Sequence, residues 1–212
     1  MGTVQERSSD AEYVVVALSY RGYWKSSGRA TQKGIELDAR AFLEWVGETY
    51  APDGIVLWGH SLGAAVASSV TVEYLGTAEG SLPIKGLVLE APISSIKDML
   101  ISLYPQKWLP YRYLWPFSWN NWDVGAAMEE MARHNSSTKG KSTSMKPPPI
   151  LLMSAESDEV VPLWVADQLE DKARGLGLEI QRKNVKGAMH IEGPLKIEGR
   201  SALADFIVSR CT

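Results

Sequence analysis

The chain carries a single cysteine in 212 residues, Cys211, beside its C-terminus. One thiol excludes an internal disulfide and suggests no metal site. No apolar run is long enough to span a bilayer, and Met1 to Asp10 is too polar to read as a signal peptide. Position six is Glu6, where an N-myristoylation start needs Ser or Thr. The net charge of −3 leaves no basic footprint for nucleic acid. Histidine is scarce too: only His60, His134 and His190 can supply an imidazole base.

Against these absences stands one dense stretch. The apolar run Ile55, Val56, Leu57 and Trp58 leads into Gly59-His60-Ser61-Leu62-Gly63, and Ala64, Ala65, Val66 and Ala67 follow. A strand that delivers a serine to a very tight turn needs glycine beside it, and small residues afterwards let the next helix pack closely. The spacing predicts a nucleophile elbow. Ser61 then stands exposed at a helix N-terminus, where the N–H of Leu62 and the positive end of the helix dipole favour an oxyanion.

A serine needs a base, and the base needs an acid to orient it. His60 lies inside the elbow, where its side chain should point away from the Ser61 hydroxyl, and His134 sits in the polar stretch Arg133 to Ser137. His190, in Gly187-Ala188-Met189-His190 between the last strand-like segment and the C-terminal helix, is the expected base. Pro149 to Met153 reads as a strand, and the loop after it offers Glu156, Asp158 and Glu159 as acids. On residues alone these three compete.

A coarse pass finds strands at Tyr13 to Leu18, Ile84 to Glu90 and Leu178 to Val185 besides the two already named. Helices are expected over Thr31 to Tyr50, with Ile35, Ala39, Phe42 and Val46 on one face, from the elbow to about Leu75, over Leu163 to Arg174 and over Leu195 to Ser209. Alternating strands and helices predict an α/β fold whose mostly parallel sheet is covered on both faces.

Leu18-Ser19-Tyr20-Arg21-Gly22-Tyr23-Trp24-Lys25-Ser26-Ser27-Gly28, the elbow, Leu87 to Pro92 and the Asp158 loop together resemble the Bem-type α/β-hydrolases, most of all their lysophospholipase and monoacylglycerol-lipase-like branch. The resemblance runs from Tyr13 onward with its motifs in order. It implies the α/β-hydrolase fold and a Ser, Asp, His chain order. The family places its acid before an x-hydrophobic-hydrophobic-Pro step, which Asp158-Glu159-Val160-Val161-Pro162 matches; Glu156 is then the reserve and Glu159 a solvated neighbour. The implied activity is that of a serine esterase without cofactor, acting on small acyl esters such as lysophospholipids or monoacylglycerols through Ser61, His190 and Asp158, with Leu62 in the oxyanion hole. Peptidase or thioesterase chemistry is the alternative within the same fold. Trp24 departs from the pattern, which usually has a small residue there.

The complete family fold carries about three further strands upstream and a His-Gly loop that supplies a second oxyanion N–H. No such motif precedes Tyr13. The expectation is an N-terminally incomplete hydrolase domain, with a catalytically impaired remnant as the competing reading. Residues 93–146 are expected as a cap or lid inserted into the single domain 1–212. Its first half holds Tyr104, Trp108, Tyr111, Tyr113, Trp115, Phe117, Trp119 and Trp122, suited to an acyl pocket, to peripheral membrane contact or simply to packing on the sheet. Its second half, Asn135 to Pro149, reads as a linker. Gly140-Lys141-Ser142-Thr143 there lacks the upstream glycine and leading strand of a P-loop, so nucleotide binding is not expected. Asn135-Ser136-Ser137 is a glycosylation sequon, meaningful only in a lumen; compartment and oligomeric state stay open.

Overall fold

A computed structural model describes residues 12–76, 82–95, 122–137 and 146–211. Helix α1 (Gln32–Tyr50) starts where Thr31 Oγ1 accepts the Gly34 N–H at 3.2 Å. It stops at Ala51, φ 43°, whose N–H returns to the Gly47 carbonyl at 3.0 Å; Pro52 then bars its continuation. Ile35, Ala39, Leu43 and Val46 form its buried stripe. Phe42, expected on that stripe, instead stacks on Trp45 with ring centroids 6.1 Å apart.

Four strands, β1 (Ile55–His60), β2 (Ile84–Glu90), β3 (Ile150–Ala155) and β4 (Ile180–Val185), form one sheet in the order β1-β2-β3-β4, every pair parallel. Parallel neighbours require crossovers. Helix α2 (Leu62–Gly76) makes the first, α3 (Val124–Ser137) lies in the second, α4 (Leu163–Gly175) makes the third, and α5 (Ile197–Cys211) follows β4 after a 3-10 turn, Gly193–Leu195.

Both faces are covered, which is why β3 is buried at all six positions. Leu87, Leu89, Ile150 and Leu152 turn to one face and share a core with residues of α1, α2, α3 and α4. Val88 and Leu151 turn to the other and meet Leu203 and Phe206 of α5. Gly86 allows this approach: a Cβ there would lie 2.8 Å from the Phe206 ring. No helix among the described residues is long and apolar enough to cross a membrane.

Two expectations change. Tyr13 to Leu18 is not a strand of the sheet; Val14 and Val15 are 52% and 89% exposed. Its valines carry the β signal, but a strand also needs a hydrogen-bonding neighbour, and none of the four strands pairs with it. Leu18 and Tyr20 pack on the main core instead. Asn135 to Ser137, expected to open a linker, ends α3.

Of the segment 93–146, residues 96–121 and 138–145, with the aromatics Tyr104 to Trp119 and the Gly140 stretch, lie outside the described residues. Asp123 Oδ1 accepts the Ala126 N–H at 2.8 Å and so caps α3, and Val124, Met128, Met131 and Ala132 join the main core. Trp122 is buried in the same core.

Candidate active site

The C-terminal ends of the strands gather the groups that carry chemistry. Ser61 links β1 to α2 with φ 53°, a left-handed conformation that costs a non-glycine residue about 1–2 kcal/mol. Its surroundings hold it there: the Ser61 N–H donates to the Glu90 carbonyl of β2 at 2.9 Å, and its own carbonyl accepts the Ala64 N–H at 3.1 Å. Gly59 permits the turn, since a Cβ there would collide with the Gly63 carbonyl. Gly63 itself is freer; its Cβ would meet the Tyr20 hydroxyl only at 3.9 Å. Leu62 opens α2, so its N–H has no carbonyl within the helix to bond.

Asp158 and His190 come together from the loops after β3 and β4. His190 Nδ1 lies 3.0 Å from Asp158 Oδ1 and 2.9 Å from Oδ2, and their side chains are only 9% and 3% exposed. Asp158 Oδ1 also accepts the N–H groups of Val160 at 2.8 Å and Val161 at 2.7 Å. Burial pushes the Asp158 carboxyl up, but the hydrogen bonds from His190, Val161 and Val160 outweigh it and hold the group below its ordinary range. With Nδ1 so engaged, Nε2 is the ring nitrogen of His190 left for a further partner.

The competing acids do other things. Glu156 Oε2 accepts the Gly187 N–H at 2.9 Å, tying the two loops together. Glu159 Oε2 accepts the His190 N–H at 3.1 Å and so braces the histidine's backbone, beyond the solvated neighbour expected of it. His60, set aside in the sequence, lies beside His190: its Nε2 is 3.0 Å from the His190 carbonyl and the two rings are 4.7 Å apart. Among the described residues no hydrogen bond joins the Ser61 hydroxyl to His190, and such bonds commonly tighten only when substrate binds.

Another loop closes on the elbow. Arg21 grips Asp38 of α1 through its backbone N–H at 2.9 Å and Nε at 3.0 Å, which places Tyr20 beside Gly63. Trp24 adopts φ 45°, a conformation a glycine reaches without cost, and its ring is 85% exposed with Lys25 Nζ 5.0 Å from its centroid. The departure at Trp24 therefore points a bulky side chain to solvent.

A strained serine turn and an acid–imidazole pair, all on parallel strand ends, are the marks of one fold class. The chain belongs to the α/β-hydrolase fold family, whose model matches residues 4–128. It is 30% identical over 171 residues to the lysophosphatidylserine lipase ABHD12 of Danio rerio, 78% of this chain and 41% of that protein. It is 30% identical over 150 residues to protein bem46 of Schizosaccharomyces pombe, 70% of this chain and 42% of that one. These relatives fit the Bem-type branch, and the chain spans about two fifths of their length. Among solved structures, an α/β hydrolase from Vibrio vulnificus superposes with a TM-score of 0.66 at 20% identity, covering 90% of this chain and 61% of that one. The Pf2001 esterase of Pyrococcus furiosus gives 0.62 at 19% identity, over 91% and 68%. Both likenesses are of fold.

Proposed function

We propose that this domain is a serine hydrolase of carboxylic esters, with Ser61 as nucleophile, His190 as general base and Asp158 as the acid that orients it. The observation that carries the reading is the buried Asp158–His190 pair on the strand ends that also present Ser61 in its strained turn. Ser61 Oγ attacks the acyl carbon as His190 Nε2 takes its proton. The negative oxygen gathers at the Leu62 N–H, and collapse passes the proton to the departing alcohol. Water repeats the sequence on the acyl-enzyme and releases the acid.

The substrate class is a single-chain lipid ester, with a lysophospholipid ahead of a monoacylglycerol. Support comes from the names of the ABHD12 relatives and from exposed apolar side chains flanking His190: Met189, Ile191, Leu195 and Ile197, at 47%, 69%, 71% and 73%. An acyl chain can lie along such a surface. A fluorophosphonate probe tests the chemistry, and labelling should vanish in Ser61→Ala. Lysophosphatidylserine, monoacylglycerol and p-nitrophenyl butyrate hydrolysis then rank the substrates. A second reading, a folded domain with poor turnover, is favoured by the lack of a bond between the Ser61 hydroxyl and His190 among the described residues. Absence of labelling in a cooperatively melting protein would select it.

A further inference from the structure

Glu90 is a buried carboxyl that the proposed reaction does not use. It ends β2, is 4% exposed, and opposes His60 of β1 on one side and Met153 of β3 on the other. Paired residues of parallel strands turn their side chains to the same face, so Trp58, His60, Glu90 and Met153 share the α5 side of the sheet. Trp58 Nε1 donates to Glu90 Oε2 at 2.8 Å, the only side-chain donor to this carboxyl among the described residues. The 3-10 turn lies over the other oxygen: a Cβ on Gly193 would come 3.1 Å from Oε1. A carboxyl buried with a single donor is costly, and an apolar residue would fill the place more cheaply.

What Glu90 touches gives the cost a purpose. Its carbonyl anchors the Ser61 N–H, and its side chain lies next to His60, whose Nε2 meets the His190 carbonyl and whose ring packs on the His190 ring. We propose that Glu90 and His60 are a positioning pair behind His190: His60 fixes the histidine loop through the His190 carbonyl, and Glu90 is a second buried carboxyl that stabilises positive charge on the imidazole. This rests on the serine-hydrolase reading of the same site.

The titratable groups around Glu90 are few. His60 faces it from β1 and His190 from the loop after β4; burial pushes its carboxyl up, against the Trp58 hydrogen bond and both histidines. β3 presents Met153 and the 3-10 turn presents Gly193, while Asp158 and Glu159 contact His190 rather than Glu90.

The test is Glu90→Gln in the full chain, which keeps the acceptor for Trp58 and removes the charge. The titration of the His190 imidazole Cε1–H, followed by NMR, should move to lower pH by about 0.5 unit or more. In p-nitrophenyl butyrate hydrolysis the acid limb of kcat/KM should move the same way, and kcat should fall about three- to tenfold with KM unchanged. Trp58→Phe, which takes the donor from Glu90 at a partly exposed position, should give a smaller shift of the same sign and guards against a misfolded glutamine variant. His60→Ala should lower kcat, with His60→Gln restoring much of it by offering an amide to the His190 carbonyl. Unmoved His190 titrations in both Glu90→Gln and Trp58→Phe overturn the electrostatic role, and His60→Gln no better than His60→Ala overturns the loop-holding role. Because the NMR titration needs no turnover, it decides the proposal even if Ser61 proves unreactive, an outcome that the fluorophosphonate label reports separately.

Discussion

The proposed mechanism needs Asp158 ionised while buried, and two backbone N–H groups and the His190 ring gather on its oxygens to favour that form. Asp158→Asn should keep the fold and lower ester turnover by about 10³–10⁴-fold, because the amide presents the wrong imidazole tautomer to Ser61. Glu156→Gln should cost far less, since that carboxyl only steadies Gly187; steady-state kinetics that rank the two the other way would move the acid to Glu156. Linkage gives the two buried carboxyls opposite signs. The lowered Asp158 contributes stability that is complete above its unfolded value and is lost as pH falls through its folded one. Burial makes Glu90 give up its proton less readily in the folded state, so it removes stability as pH climbs from its unfolded value to its folded one. Glu90→Gln should therefore melt increasingly above the wild type from acid to neutral pH, and parallel melting curves would refute that. Ser61 stands out in its own motif, whereas His190 emerges only by elimination among three histidines and Asp158 only through the family pattern, and the structure pairs the last two. His60, Glu90 and Glu159 were not legible, because their roles depend on register between β1 and β2 and on two loops meeting, which no short stretch encodes.

At the scale of elements, the elbow is a contact between β1 and the first turn of α2. Gly59→Ala should destabilise the domain by several kcal/mol and abolish probe labelling, because its methyl would sit on the Gly63 carbonyl. Gly63→Ala is the contrast. Its methyl has room, and replacing a helical glycine gains about 1 kcal/mol of helix propensity, so thermal melting should show one variant far below the wild type and the other level with it or above. The sequence motif treats the two glycines alike; sterics separate them. Strands β2 and β3 were legible as continuous apolar runs because helices cover both their faces. Tyr13 to Leu18 has the same composition and is no strand, since a run of valines states a preference and pairing requires a partner. Helix α3 lies inside the segment expected as a cap, where Val124, Met128 and Met131 mark its buried side.

Across the whole molecule, β1 ends the row of described strands, and Val14 and Val15 face solvent. Exposed valines and an unpaired strand edge both favour self-association. Val15→Lys should reduce light scattering on concentration and leave the melting temperature nearly unchanged, given how little of Val15 is buried. Scattering equal to the wild type would clear this patch. The bond from the Ser61 N–H to the Glu90 carbonyl carries a different consequence. It ties the proposed nucleophile to the middle of the sheet, so the Ser61 amide should be among the last to exchange with deuterium, near the rate of global opening. His190 rides on a loop flanked by exposed Met189 and Ile191, and amides there should exchange earlier. Under mild denaturant the domain should then lose activity while its strands remain protected, so that inactivation measures the opening of one loop and not the loss of the fold.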